Sequence, residues 1–148
     1  MEMKIALGSD HGGYELKETI QNWLEAHGYK TEDFGTYNTQ SCDYSDYAAL
    51  VAEAIITGNA RFGILVCGTG IGMSIAANKV QGIRAALCHE CFSAKMSRAH
   101  NDANILCLGQ RVTGSGLALE IVETWLKSEF EGGRHQRRVD KVAALEQA

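Results

Sequence analysis

Apolar runs of strand length alternate with amphipathic stretches along the chain. The apolar runs predict strands, since about four to eight apolar residues bounded by glycine or polar residues suit a strand of a buried sheet. In the other stretches, apolar residues recur at helical spacing and predict helices. The predicted strands cover residues 4–8, 29–34, 62–67, 82–89 and 103–109. The predicted helices cover residues 14–27, 48–57, 74–79, 91–98, 117–130 and 139–145.

This alternation of strand and helix predicts an α/β fold. Parallel strands joined by right-handed helical crossovers form a three-layer α/β/α sandwich, a Rossmann-like, doubly wound parallel sheet of about five strands. A chain of 148 residues is within the usual size of one domain, so we expect residues 1–148 to form a single domain. We expect its C-terminal tail, residues 131–148, to contribute to the functional site or to an interface between subunits.

Polar and reactive residues follow four of the predicted strands at the point where each strand ends. In a doubly wound sheet, ligands bind beyond the carboxyl ends of the strands. The residues are Ser9, Asp10 and His11 after the first strand, Cys67 to Gly72 after the third, His89 after the fourth and Arg111 after the fifth. The sequence therefore predicts a ligand site at this edge of the sheet.

The segment from Cys67 to Gly72, CGTGIG, has glycine at every second position and precedes a predicted helix. Backbone N–H groups of such a loop can turn inward and hold an anion. The segment differs from a P-loop, because no Gly-Lys-Ser/Thr follows, and from the dinucleotide fingerprint, because Met73 replaces the third glycine. A nucleotide site stays open as an alternative, since Glu90 lies at about the spacing of a ribose ligand. An ordinary glycine turn is a further alternative.

Cys67 stands directly before this loop and supplies a reactive group. A thiol at a helix N-terminus ionises more readily than a free thiol, and the thiolate acts as a base or a nucleophile. Packed inside the strand core, the same thiol would be inert, and we favour the chemical role. The cysteines form an odd set without a secretory signal, which indicates reduced thiols. The other members are Cys42, Cys88, Cys91 and Cys107.

Cys88 and Cys91 have the CxxC spacing of some metal and redox sites. No second pair of ligands with zinc-type spacing accompanies them, so we favour an ordinary structural role for both. We expect Cys42 to be a loop thiol and Cys107 a small core residue.

His100 and Asn101 lie between a predicted helix and the fifth strand. Histidine titrates near neutrality, as a general acid or base must, although a loop histidine is often merely exposed. Arg134 and Arg138 are four residues apart and share one face if their segment is helical. Two guanidinium groups on one face suit a small phosphate, whereas a solvated surface is the usual alternative.

The charge balance of the chain narrows its partners. It has 14 basic and 18 acidic residues, a net charge of −4, which argues against a general attraction to nucleic acid or to an anionic membrane. The first ten residues, MEMKIALGSD, have neither the length nor the flanks of a signal peptide or a membrane-spanning helix. We therefore expect a cytoplasmic location.

Five motifs, in order, resemble those of the ribose-5-phosphate isomerase type B family, which also includes galactose-6-phosphate isomerase subunits. They are GSDHGGYELK, DYSDYA, ILVCGTGIGMSIAANKVQGIRAA, SRAHNDANIL and EFEGGRHQRRV. The resemblance covers nearly the whole chain. It implies an aldose–ketose isomerase of the pentose phosphate pathway that interconverts D-ribose 5-phosphate and D-ribulose 5-phosphate through an enediol(ate). A 6-phosphohexose, allose or galactose 6-phosphate, is the alternative substrate.

By position, Cys67 resembles the base of that family and His100 its ring-opening acid/base. The resemblance implies that the other matching residues bind substrate: Asp10, His11, Gly68, Thr69, Gly70, Ile71, Gly72, Asn101, Arg111, Arg134 and Arg138. It implies a homodimer or homotetramer with active sites shared between subunits, no metal and no cofactor. Some relatives use a carboxylate in place of the cysteine. Ser45 and Gln81 stand where members commonly have proline, and Ser9 where others carry cysteine.

Two interpretations from other classes compete with the isomerase. A nucleotide-binding module without catalysis would bind adenine nucleotides and show no isomerase turnover. A nucleic-acid-binding protein would use RHQRR, residues 134–138, and would be retained on DNA or RNA with a steep salt dependence. A full set of chemical groups outweighs one local motif, so the isomerase is our prediction.

Overall fold

The structure is a computed structural model that describes residues 3–147. Its strands and helices alternate along the chain. Their bounds are β1 Lys4–Ser9, α1 Tyr14–Ala26, β2 Lys30–Asp33, α2 Tyr44–Ile56, β3 Phe62–Cys67, α3 Ile71–Ala77, β4 Ala85–Leu87, α4 Cys91–Ala99, β5 Ile105–Gly109, α5 Ser115–Lys127 and α6 Arg134–Ala144, followed by a 3-10 turn at Leu145–Gln147. Within this described range, no helix has the length and apolar content that a membrane span requires.

The five strands form one parallel sheet in the order β2-β1-β3-β5-β4. Parallel neighbours need a crossover, and helices provide it here. The chain first passes from β1 to the outer strand β2, and later from β3 to the outer strand β4 on the other side. The strand order therefore reverses between β1 and β3. The predicted α/β class with a parallel sheet is confirmed.

Helices cover both faces of the sheet and produce the three layers. On one face, α1, α4 and α5 pack through residues such as Ile20 and Trp125 against Ile64 of β3. On the other face, α2 and α3 pack through residues such as Val51 against Leu65. Every residue of β3 is buried, because its side chains alternate between two covered faces. This explains the continuous apolar run FGILVC.

Three helices begin about one turn earlier than the apolar periodicity predicts. α2 begins at Tyr44 and not at residue 48, α3 at Ile71 and not at 74, and α6 at Arg134 and not at 139. The first turns of α2 and α6 carry no aliphatic residues, so their apolar pattern starts one turn after the helix itself. In α3, Ile71 and Met73 flank Gly72, and the glycine loop disguises the start of the helix.

The strand β4 has three residues and is shorter than the predicted 82–89. Two asparagine side chains accept hydrogen bonds from backbone N–H groups where it begins. Asn104 accepts from Arg84 and Asn78 accepts from Ala85, both at 2.8 Å. Such side-chain to backbone bonds compete with a sheet ladder, and a hydrophobic pattern does not reveal them.

Candidate functional site

The carboxyl ends of β1, β3 and β5 lie side by side at the centre of the sheet. The segments that leave them are tied by backbone hydrogen bonds, from Asp10 N–H to Val66 O at 3.3 Å and from Arg111 N–H to Gly68 O at 3.0 Å. The Arg111 guanidinium lies over Gly68, with Nη1 3.3 Å from the point that a Cβ would occupy there. We call this end of the sheet the carboxyl edge. It includes the point between β1 and β3 where the strand order reverses, and ligands of such sheets bind there.

Cys67 is the last residue of β3 and is only 5% exposed. Its Sγ accepts a hydrogen bond from the Gly70 N–H at 3.1 Å. This backbone donor fixes the position of the sulfur relative to the glycine loop. The sulfur thus lies at the start of the glycine loop, inside the edge where the sequence predicts the ligand site.

The glycine loop is shaped by close contacts that exclude side chains. Gly70 has a φ of +80°, and a Cβ on it would lie 2.9 Å from the carbonyl carbon of Leu108. A Cβ on Gly72 would lie 2.7 Å from the ring of Tyr44. Glycine is therefore required at position 70 by both its backbone conformation and its packing.

Two other cysteines have environments that oppose ionisation. Burial raises the pKa of the Cys88 thiol to about 11. Burial also raises the pKa of the Cys107 thiol well above its ordinary value. Both thiols are therefore protonated near neutral pH and are unsuited to act as a base. Cys42 and Cys91 are half-buried, and all five cysteines are free.

Asp10 and His11 are fixed by backbone groups close to the loop. The nearly buried Asp10 carboxylate accepts a hydrogen bond from Gly12 N–H at 2.9 Å, and a Cβ on Gly12 would lie 3.3 Å from the Gly68 nitrogen. His11 Nδ1 accepts from Cys42 N–H at 3.2 Å. In the neutral ring the proton is then on Nε2, which acts as a donor.

His100 lies at the opposite end of the strands, where they begin, just after α4 and before β5. We call this end of the sheet the amino edge. Its ring stacks on that of His135 in α6, with centroids 4.1 Å and planes 10° apart. Glu131 Oε1 lies 3.7 Å from His100 Nε2 and 3.4 Å from His135 Nε2. A cleft of about 310 Å³ opens beside them. It is lined by Arg84, His100, Asn101, His135, Arg138, Val139 and Val142.

The electrostatics of this amino edge favour a neutral His135. Burial lowers the pKa of His135, and the neighbouring His100 and Arg134 lower it further, while Glu131 acts in the other direction. His135 is therefore an unprotonated imidazole at neutral pH. Its ring can therefore stack on that of His100 without burying a charge.

The predicted site residues thus form two groups within one chain. Asp10, His11, Arg111 and the segment 67–72 lie at the carboxyl edge, while His100, Asn101 and Arg138 lie at the amino edge. The five residues of β5 separate the edges by about 13 Å at roughly 3.3 Å per residue. One chain does not bring Cys67 and His100 together.

Sequence reasoning missed three charged or titratable residues of the amino edge, namely Arg84, Glu131 and His135. Glu131 and His135 are four residues apart, but no local pattern in the sequence places them beside His100. Arg84 carried no local signal. Its guanidinium donates to the carbonyl oxygens of Asn101 and Asp102, at 3.1 and 2.9 Å, which are contacts distant in sequence.

Known proteins resemble the chain over nearly its full length. A family model described as Ribose/Galactose Isomerase matches residues 5–142. The chain is 51% identical to a ribose-5-phosphate isomerase B of Escherichia coli, with 97% of each chain covered. It is 45% identical to a D-erythrulose-4-phosphate isomerase of Pectobacterium atrosepticum, covering 97% of this chain and 95% of the other.

Solved structures give the same result for the fold. A ribose-5-phosphate isomerase B of Clostridium thermocellum superposes with a TM-score of 0.97 at 58% identity, covering 98% of each chain. A ribose 5-phosphate isomerase of Thermotoga maritima superposes with a TM-score of 0.95 at 51% identity, covering 97% of this chain and 99% of the other.

Proposed function

The chain belongs to the ribose/galactose isomerase family, and on that premise we propose that it interconverts D-ribose 5-phosphate and D-ribulose 5-phosphate. It is an aldose–ketose isomerase, an intramolecular oxidoreductase, as the five motifs predict. The reaction is redox-neutral, because the hydrogen removed from one carbon returns to its neighbour. The proposal therefore needs neither cofactor nor metal. As a step of the pentose phosphate pathway, it is expected in the cytoplasm.

The hydrogen bond from Gly70 N–H to Cys67 Sγ carries this proposal. It joins a thiol to a loop of backbone donors at the edge where ligands bind in such sheets. These donors can stabilise negative charge on sulfur before the reaction and on the substrate oxygen during it. Burial raises the pKa of Cys88 and Cys107, whereas buried Cys67 has a backbone N–H donor at its sulfur, which supports the choice of Cys67 as base.

The proton transfers follow from this arrangement. The Cys67 thiolate removes the proton from C2 of the open-chain aldose, and the electron pair forms the C1–C2 double bond as charge moves to O1. N–H groups of the loop Gly68–Gly72 stabilise the enediolate. A proton passes from O2 to O1. The Cys67 thiol then returns its proton to C1, and the carbonyl forms at C2.

Ring opening is assigned to His100, which protonates the ring oxygen and accepts the proton of the C1 hydroxyl. Because His100 and Cys67 lie at opposite edges of one chain, the two groups meet only if a second copy places its amino edge against the first copy's carboxyl edge. We therefore expect a homodimer or a homotetramer with shared sites. The tail 131–148 then contributes to the site of the neighbouring subunit.

The remaining predicted residues are assigned to bind the phosphate and the hydroxyl groups of the sugar. Arg134 and Arg138 hold the phosphate from the second copy, since charged hydrogen bonds of guanidinium groups suit phosphate oxygens. The other proposed ligands of the sugar phosphate are Asp10, His11, Gly68, Thr69, Gly70, Ile71, Gly72, Asn101 and Arg111.

Isomerisation in D2O tests the enediolate route. A base that exchanges its proton with solvent introduces deuterium at C1 of the ketose, whereas direct hydride transfer from C2 to C1 leaves the product unlabelled. We expect label in ribulose 5-phosphate formed from ribose 5-phosphate, read by mass spectrometry. Turnover without any label, even at short reaction times, would contradict the proposal.

A panel of phosphorylated aldoses decides between substrates. The alternative from the sequence is a 6-phosphohexose, allose or galactose 6-phosphate. The relative from Pectobacterium atrosepticum is named for a four-carbon sugar phosphate, so chain length varies among similar proteins. We expect the highest kcat/KM for ribose 5-phosphate. A higher value for a hexose 6-phosphate would favour the alternative while leaving the proton chemistry intact.

A further inference from the structure

The amino edge contains three potential metal ligands, and the isomerase proposal uses only one of them. They are His100, Glu131 and His135, which each offer one ligand atom, all within 4.8 Å of one another. We propose that this cluster binds a divalent transition-metal ion, with Zn²⁺ as the best fit, and that the bound ion inhibits the isomerase. The inhibitory part rests on the proposed role of His100, whereas the binding part does not.

The distances suit a tetrahedral ion. Zinc binds imidazole nitrogen and carboxylate oxygen at about 2.0–2.2 Å, so two ligand atoms of a tetrahedral site lie about 3.3–3.6 Å apart. Glu131 Oε1 lies 3.4 Å from His135 Nε2 and 3.7 Å from His100 Nε2. Two of the three distances between ligand atoms are therefore already close to those of a tetrahedral site. Only the approach of the two imidazole nitrogens to each other requires a rotation.

His100 and Glu131 are free to make that rotation, because their side chains are more exposed than that of His135. The rings of His100 and His135 are nearly parallel, so their nitrogen lone pairs do not yet converge on one point. The His135 side chain is 8% exposed and is held in place, whereas His100 and Glu131 are 38% and 57% exposed. Binding would turn His100 out of the stack. The cleft beside it leaves the fourth position of the ion for water.

The surrounding charges select the kind of ion. Glu131 is negative, but Arg84, Arg134 and Arg138 face the same region and oppose any cation. Magnesium and calcium prefer oxygen ligands and gain little from imidazole. Zinc, copper and cobalt bind imidazole strongly enough to form a site with one carboxylate. Arg84 is also partly neutralised by its ion pair with Asp102 at 3.5 Å.

An ion at this position would hinder the proposed reaction. Coordination occupies Nε2 of His100, which then neither donates nor accepts a proton. The ion is thus an inhibitor of ring opening and has no part in the catalytic cycle.

Cobalt serves as a spectroscopic probe of binding that does not depend on activity. Metal-free full-length protein is titrated with Co²⁺, and Zn²⁺ affinity is measured by competition with a chromogenic chelator. We expect one equivalent per chain, visible d–d bands, and none of the near-ultraviolet charge-transfer absorption that cysteine ligands produce. Glu131→Gln and His135→Asn should each weaken binding by about tenfold or more, since even outer-shell groups of metal sites contribute about 10- to 100-fold.

Matched controls are available in the same chain. Glu129→Gln removes an exposed carboxylate two positions away, and His89→Asn removes an exposed histidine outside the cluster. Both should bind like the parent protein. Glu131 is exposed, so Glu131→Gln decides the matter even if His135→Asn does not fold. Thiolate absorption, equal affinity in Glu131→Gln and its control, or no binding at millimolar metal would each overturn the site.

The inhibitory part has its own measurement. The rate of each variant with Zn²⁺ is divided by its own rate in EDTA. We expect strong inhibition of the parent protein and of Glu129→Gln at zinc concentrations that leave Glu131→Gln active. If the spectra place the ion at the cluster but turnover persists, the inhibition is refuted and the ring-opening role of His100 with it.

Discussion

The two edges of the sheet hold their polar groups in different ways. At the carboxyl edge, Cys67 is buried and its Sγ is bound by a backbone N–H, and Asp10 accepts from the backbone as well. At the amino edge, half-buried His100 and exposed Glu131 contact one another and His135. Backbone donors keep their direction during a reaction, as stabilisation of a developing charge requires. Exposed side chains gain a fixed direction only when another surface covers them.

The comparison indicates a division of labour between the edges. In the proposed mechanism, the carboxyl edge supplies the groups that move a proton between carbons. The proposal assigns ring opening and phosphate binding to the amino edge of a second copy. Substitutions at each edge therefore should differ in what they change, and four experiments test that difference.

The largest effect is expected at Cys67. Cys67→Ser keeps the shape, but a hydroxyl is far too weakly acidic to serve as base near neutral pH. We expect kcat to fall by about 10²- to 10⁴-fold while substrate binding survives. Cys91→Ser is the control, since Cys91 is a free, half-buried thiol that has no part in the proposed mechanism. Near-normal turnover and deuterium exchange in Cys67→Ser would show that another group transfers the proton.

Mixing two inactive variants tests whether the edges of different copies form one site. If each site takes Cys67 from one subunit and His100 from the other, a dimer of one Cys67→Ser subunit and one His100→Asn subunit has one intact site. Its other site carries both substitutions. Randomly mixed dimers should recover about a quarter of parent activity, since half are mixed and each of these has one of two sites intact. Activity that stays at the level of the separate variants, despite proven mixed dimers, would place both groups in one subunit.

A smaller effect is expected from replacing an arginine that is proposed to bind the phosphate. Arg138→Ala should weaken substrate affinity by about 10- to 150-fold, because hydrogen bonds to charged groups contribute about 1.5 to 3 kcal/mol. KM for ribose 5-phosphate gives this value. Arg137→Ala removes the same charge from the adjacent, exposed position and should have much less effect. Unchanged KM and kcat in Arg138→Ala would refute the phosphate assignment.

No effect is expected from removal of metal. The proposed chemistry uses a thiol, an imidazole and backbone donors, so exhaustive chelation should leave the rate of metal-free preparations unchanged. If trace zinc is present, chelation should raise the rate. Loss of activity on chelation, restored by adding metal back, would contradict both the metal-free mechanism and the inhibitory role of the metal cluster.

Local patterns in the sequence were sufficient for the fold class and for the carboxyl edge. The run FGILVC is apolar at every position, and a strand covered on both faces is its natural structure. Cys67 and the glycine loop are contiguous, so their position at the end of β3 follows from where that strand ends. The bounds of α2 and α6 were less accurate, because their first turns lack aliphatic residues, and the start of α3 was missed because it lies within the glycine loop.

The sequence by itself therefore determined the alternation of elements, the buried strand and the reactive loop, since each depends on residues close together in the chain. Only the tertiary structure decided the strand order, the separation of Cys67 from His100 and the cluster of His100 with Glu131 and His135. Periodicity shows which face of an element is buried, but it does not show which elements end at the same edge. That depends on crossovers between residues distant in sequence, which pack only in the complete fold.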